Sequence, residues 1–162
     1  MKKAHLFLAV LIVLAFGANG FAACTTAFPT SAKKEFLDGV HLAANTYKIA
    51  FYTDTATYGA ATTAYSATNE VSGTGYTAGG YTLDTRASNS SGTTAWIDFA
   101  DEVAAGVTFT SAAKCVIIYN DTVVGDPAIY VGNLASAVQP SAGTLTVTFP
   151  TADATNAIVR VQ

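Results

Sequence analysis

Charge is the scarcest property of this 162-residue chain: only 12% of its residues are Asp, Glu, Lys or Arg, about half the share of an ordinary soluble domain. The eight basic residues include Lys2 and Lys3, so that beyond residue 22 six basic groups face eleven acidic ones, a net charge of −5. That balance excludes sequence-independent nucleic-acid binding, which needs clustered Lys and Arg. Histidine is nearly missing, with only His5 and His41, and cysteine is confined to Cys24 and Cys115. No Cys-His metal spacing, G-x-S-x-G elbow or H-E-x-x-H helix can be built from this supply. Catalysis needs a group whose pKa can be tuned near neutrality. The sequence therefore reads as a non-enzyme with no cofactor.

Alanine, threonine, serine and glycine fill the space that charge leaves. A surface of this kind suits a protein that works outside the cytosol or inside a large assembly, where solubility as a free monomer matters less. The N-terminus agrees. Lys2 and Lys3 precede an apolar run over residues 6–16, and Gly17, Asn19 and Gly20 break its helical pattern. Gly20-Phe21-Ala22 places small residues at −3 and −1 of a cleavage point before Ala23, so residues 1–22 read as a secretory signal peptide. The run is short for a bilayer span. Phe21-Ala22-Ala23-Cys24 also has the form of a lipoprotein processing site, with lipidation on Cys24, which is the one route by which this chain would meet a membrane. Without lipid, Cys24 and Cys115 either form one disulfide or leave Cys115 as a buried thiol beside the apolar Val116-Ile117-Ile118-Tyr119.

Residues 23–162 read as one domain, since the length supports a single core. Thr30 or Ser31 can N-cap a helix running through residues 32–42, with Phe36, Leu37 and Val40 on one face and Gly39 weakening its last turn. After that the period falls to two. Strands are expected over residues 47–52, 81–85, 93–99, 107–110, 114–119, 128–131, 144–149 and 157–161. Turns are expected at residues 88–92, 105–106, 125–127 and 140–143. Many short strands at this spacing indicate an all-β fold, an antiparallel β-sandwich or jelly roll with one short N-terminal helix. The continuous run at residues 116–119 marks a central strand buried on both faces. Residues 53–68 read as an extended loop anchored by its tyrosines.

The densest punctuation is Gly73, Gly75, Gly79 and Gly80, four glycines within eight residues. They predict an ordered turn system between strands. G-T-G-Y-T-A-G-G superficially looks like a nucleotide loop, but it leads into a strand-like segment and not into a helix. Tyr76 and Tyr81 beside these glycines are expected to form an assembly contact, because tyrosine brings area at low entropic cost. The acidic cluster Asp98, Asp101 and Glu102 is expected to be a solvated turn, with Asp98 pointing outward. His41 is expected to meet the terminal carbonyls of its helix. Trp96 and the tyrosines would be the only basis for a carbohydrate-binding or enzymatic reading, and core packing accounts for such aromatics more simply.

Four segments carry a resemblance: F-P-T-S-A-K-K-E-F-L-D-G-V-H-L from Phe28, T-A-Y-S-A-T-N-E-V-S-G-T-G-Y-T-A-G-G from Thr63, I-I-Y-N-D-T from Ile117 and F-P-T-A-D-A-T-N-A-I-V-R from Phe149. Together they resemble small structural proteins of tailed-bacteriophage virions, over most of residues 28–162. The resemblance implies a non-enzymatic capsid- or tail-associated β-domain that packs against copies of itself or against other structural subunits. It transfers no catalytic residue. The family's members begin near the equivalent of Phe28, so residues 1–23 are an addition. That addition opens a second expectation, an exported surface lipoprotein or extracellular filament subunit built on the same domain. The location is accordingly either exported or within a virion.

Overall fold

The computed structural model describes residues 9–13, 24–84 and 86–162, the first of these as backbone only. The proposed cleavage site at residues 20–22 lies outside the described residues. Among the described residues the fold is all-β with one short helix. In order it forms β1 (Ala9–Val13), α1 (Thr30–Leu37), β2 (Tyr47–Tyr52), β3 (Gly73–Thr74), β4 (Tyr81–Leu83), β5 (Ala87–Ser91), β6 (Thr94–Asp98), β7 (Glu102–Phe109), β8 (Ala113–Asn120), β9 (Ala128–Val138), β10 (Gly143–Thr148) and β11 (Val159–Val161).

These strands make three sheets, in the orders β1-β10-β7-β3, β4-β2-β8-β9 and β11-β6-β5. Alternation along β10 explains how the first sheet meets the second. Leu145 and Val147 are buried while Thr144, Thr146 and Thr148 are half-exposed, so one face turns inward and the other to solvent. The inward face joins Ile49, Phe51, Val116, Ile118 and Leu134 of the second sheet in one core, to which Ile97 and Val159 of the third sheet also belong. Burial of this kind is the main driving force of the fold, at about 1.5–3 kcal/mol for each large aliphatic side chain.

The second sheet is covered on both faces. Its other side carries Ala50, Tyr52, Ile117, Tyr119 and Val131, packed with Cys24, Ala56, Tyr58 and Tyr65. The long loop after β2 thus acts as a lid of tyrosines over the sheet, with Tyr65 stacked on Tyr119 at 4.7 Å and Tyr58 edge-on to Tyr52 at 4.8 Å. Strand β8, between β2 and β9, is the central strand, as its apolar run predicts.

Several expectations are corrected. The helix stops at Leu37, five residues early. Gly39 (φ +73°) donates to the Phe36 carbonyl and Val40 to that of Glu35, closing the last turn in the manner of a Schellman cap. Leu37 is 88% exposed, so it does not share a buried face with the half-buried Phe36. Residues 88–91 are not a turn but the edge strand β5. It pairs with β6 through Ser91 and Thr94 across a two-residue turn, and the polarity of Ser88-Asn89-Ser90-Ser91 suits an edge. The turn expected at residues 105–106 lies inside β7. There Gly106 (φ +69°) falls where the register with β10 shifts, so the glycine makes a bulge and the strand continues.

The largest difference is at the N-terminus. Within the apolar run, Ala9–Val13 is a strand, in parallel register with β10 from Ala9 opposite Thr144 to Val13 opposite Thr148. A short apolar run rich in valine and isoleucine suits a strand as well as a helix, and the free edge of β10 supplies the partner.

Candidate functional site: the glycine loop, the disulfide and the β10 edge

The glycine loop is organised by Glu70, a residue that composition and pattern did not single out. Its carboxylate accepts hydrogen bonds from the Tyr76 hydroxyl (2.7 Å), the Tyr65 hydroxyl (2.7 Å) and the Gly79 backbone N–H (2.9 Å). The Tyr76 hydroxyl also accepts from the backbone N–H of Phe51 (3.0 Å). The ladder between β2 and β4 ends at Ile49, so a side chain takes over where the strand runs out. Tyr119 donates to the Gly79 carbonyl (2.6 Å) and Tyr81 to the Gly75 carbonyl (2.8 Å). All four glycines have positive φ.

This geometry corrects the role given to Tyr76 and Tyr81. Tyr76 is only 8% exposed, with its ring 5.4 Å from Phe109 and 6.1 Å from Phe51. Tyr81 is half-buried against the same cluster, and burial pushes the pKa of its hydroxyl up to about 12. The pair fastens the loop to the core and presents little surface to a partner.

Cys24 and Cys115 are joined by a disulfide with Cα atoms 6.0 Å apart, and both are buried. In this state Cys24 has no thiol left to carry a lipid. The bond ties the start of the domain to the central strand, and neighbouring backbone pairs reinforce it. Ala27 and Val131 exchange two hydrogen bonds, and Asn133 donates to the Thr26 hydroxyl and the Cys24 carbonyl.

His41 meets side chains and not helix carbonyls, which is a second correction. Its Nε2 lies 3.0 Å from Glu35 and its Nδ1 3.2 Å from the Asn120 amide nitrogen. A neutral ring donating through Nε2 and accepting at Nδ1 satisfies both. Burial holds its pKa below the ordinary value, against the pull of Glu35. Asn120 in turn donates to Asn45 and accepts from the Thr122 backbone. The network locks the segment after α1 onto the end of β8. No local pattern shows it, because Asn120 lies 79 residues from His41.

Asp98 is a third correction. It is 1% exposed; one oxygen accepts from the Phe99 N–H, and the other has no partner. Burial raises its pKa to about 6, helped by Asp101 and Asp153 and opposed by backbone N–H groups. Asp101 caps the Phe149 N–H instead of joining Asp98 in a shared site. Among the described residues, no group of three or more His, Cys, Asp and Glu side chains is placed to hold a metal ion.

Trp96 lines an open groove of about 380 Å³ along β6, with Phe36, Arg86, Val159 and Val161 among its walls. A further surface feature is a backbone edge. Strand β10 is laddered to β7 on one side, and on the other only to β1.

No protein-family model matches the chain, and neither a curated protein nor a solved structure matches it.

Proposed function

We propose that this protein is a non-enzymatic structural subunit, exported from the cell, that acts by assembling with copies of itself or with other structural subunits. The observation that carries the reading is the buried Cys24–Cys115 disulfide. Such bonds form and persist in oxidising compartments and are rare in the cytosol. It sits directly after the segment that reads as a signal peptide, at the first residues of the exported chain. The resemblance to tailed-phage virion proteins supplies the kind of role, a β-domain that packs against neighbours. The disulfide favours a surface or extracellular setting for that role over assembly in the cytoplasm.

The functional groups support the same view. His41 and Glu70 are each engaged in bonds that hold the fold together, and Asp98 is enclosed. The experiment is export of the full chain from a bacterial host, followed by mass spectrometry without reduction and sedimentation of the product. A chain beginning at Ala23, two hydrogens lighter than its dithiol mass and sedimenting as an oligomer, is expected. A product that keeps Met1, or a folded chain that stays monomeric at all concentrations without added subunits or host extract, overturns the reading of a self-assembling export.

A further inference from the structure

We propose that the β10 edge is a strand-accepting site, covered by Ala9–Val13 of the same chain while residues 1–22 remain attached and by β10 of a second copy once they are removed. This inference rests on the reading that export removes residues 1–22. Strand β1 pairs with β10 alone, along five registered positions. It also runs beside β9, the edge strand of the facing sheet, so it closes one side of the sandwich. Cleavage before Ala23 removes β1 whole. It leaves the Thr144–Thr148 edge with a row of backbone N–H and C=O groups and no ladder. Such a row is a template for another strand.

The remaining chain cannot refill the seat. Its new N-terminus is held by the Cys24–Cys115 bond and by the pairing of Ala27 with Val131 on β9. The replacement must therefore come from another molecule. Strand β10 carries none of the usual guards of a free edge. Thr144-Leu145-Thr146-Val147-Thr148 contains no charge and no proline, and is β-branched at four of five positions. The sequence is also self-complementary in the required sense. Two copies running antiparallel about Thr146 place Leu145 and Val147 of both on the inner face and the threonines of both outside. Each copy loses its β1 in the same processing step, so both edges open together. A two-fold contact of this kind is closed and joins two four-stranded layers, each short of one strand, into a single continuous sheet.

The two-fold axis at Thr146 provides the test. Thr146 is half-exposed on the outer face, so a charge there leaves the core untouched. In the proposed dimer it faces its own copy, and like charges directly opposite are destabilising. Residues 23–162, exported and oxidised, are expected to sediment as a dimer. Thr146→Lys and Thr146→Glu, each alone, should lose the dimer, and an equimolar mixture of the two should regain it. Hydrogen exchange on the unaltered protein gives an independent reading, with protection at residues 144–148 that disappears on dilution. Oligomers that ignore both charges and show no concentration-dependent protection would overturn the β10 contact while leaving assembly intact. A folded monomer whose β10 is protected only by an added peptide of residues 9–13 flanked by lysines would overturn the second copy as occupant, and self-assembly with it.

Discussion

Gly80 turns so close to β2 that a Cβ at this position would lie 1.9 Å from the Ile49 carbonyl oxygen, with φ at +83°. Backbone, not a flexible side-chain tip, stands in the way. Gly80→Ala is expected to cost more than about 2 kcal/mol. Gly92→Ala, where nothing lies within 4 Å and only a φ of +58° is at stake, should cost about 1 kcal/mol. Urea titration of the two variants checks the difference. Asp98 makes the other prediction at this scale. Its folded pKa of about 6 stands above its ordinary 3.8, so the folded chain retains a proton that the unfolded chain has released. Stability should therefore fall as pH rises from about 4 to about 6, and remain lower beyond. Asp98→Asn removes that dependence. Its stability relative to the unaltered protein should improve by roughly 1–3 kcal/mol between pH 4 and pH 8, read from denaturation at both pH values. An unchanged slope would mean that Asp98 is not the titrating group.

The element most dependent on a single side chain is the segment from the long loop into the glycine turns. Glu70 receives Tyr65, Tyr76 and Gly79 together, so it joins the lid over one face of the second sheet to the turn that enters β4. Glu70→Ala leaves two hydroxyls and one backbone N–H without their acceptor, at an expected cost of about 2–4 kcal/mol. Residues 53–69 should then become the first site of limited proteolysis, since their anchoring tyrosines are released. Cleavage that begins elsewhere would show that the aromatic stacking of Tyr58 and Tyr65 holds the lid by itself.

At the scale of the whole molecule, the Cys24–Cys115 bond spans 91 residues and encloses β2 through β7 and the start of β8. Closing a loop of that length in the unfolded chain is worth about 4 kcal/mol in the chain-entropy description. Full reduction under denaturing conditions, followed by refolding with thiols blocked, should lower the unfolding free energy by that order. Calorimetry of the oxidised and blocked forms measures it, and equal melting temperatures would show that backbone pairing of residues 25–27 already holds the N-terminal segment. Because both sulfurs are buried, reductant added to the native protein should act slowly.

The amino-acid sequence by itself determined the class of fold and its centre. Period-two patterning from residue 47 onward and the run Val116-Ile117-Ile118-Tyr119 depend only on local alternation and local hydrophobicity, and these locate most of the strands and the one that lies deepest, though not the polar edge strand β5 or the bulged course of β7. The positive φ of the glycine cluster was legible for the same local reason, whereas the cap expected from Thr30 or Ser31 is not made: the helix begins at Thr30, with Pro29 in the capping position and no side-chain cap. What a residue faces was decided by tertiary structure. Asp98 looked solvent-facing beside its acidic neighbours, yet β6 packs it inward. His41 found Asn120 from across the chain, and Tyr76 turned into the core where the ladder from β4 to β2 ends at Ile49, so that its hydroxyl meets the Phe51 N–H. Nor does local pattern say that Ala9–Val13 completes a sheet, because an apolar run is compatible with helix or strand until an unpaired edge elsewhere chooses between them. Each of these outcomes turns on a partner distant in sequence or on a neighbouring strand, and periodicity carries no information about such partners.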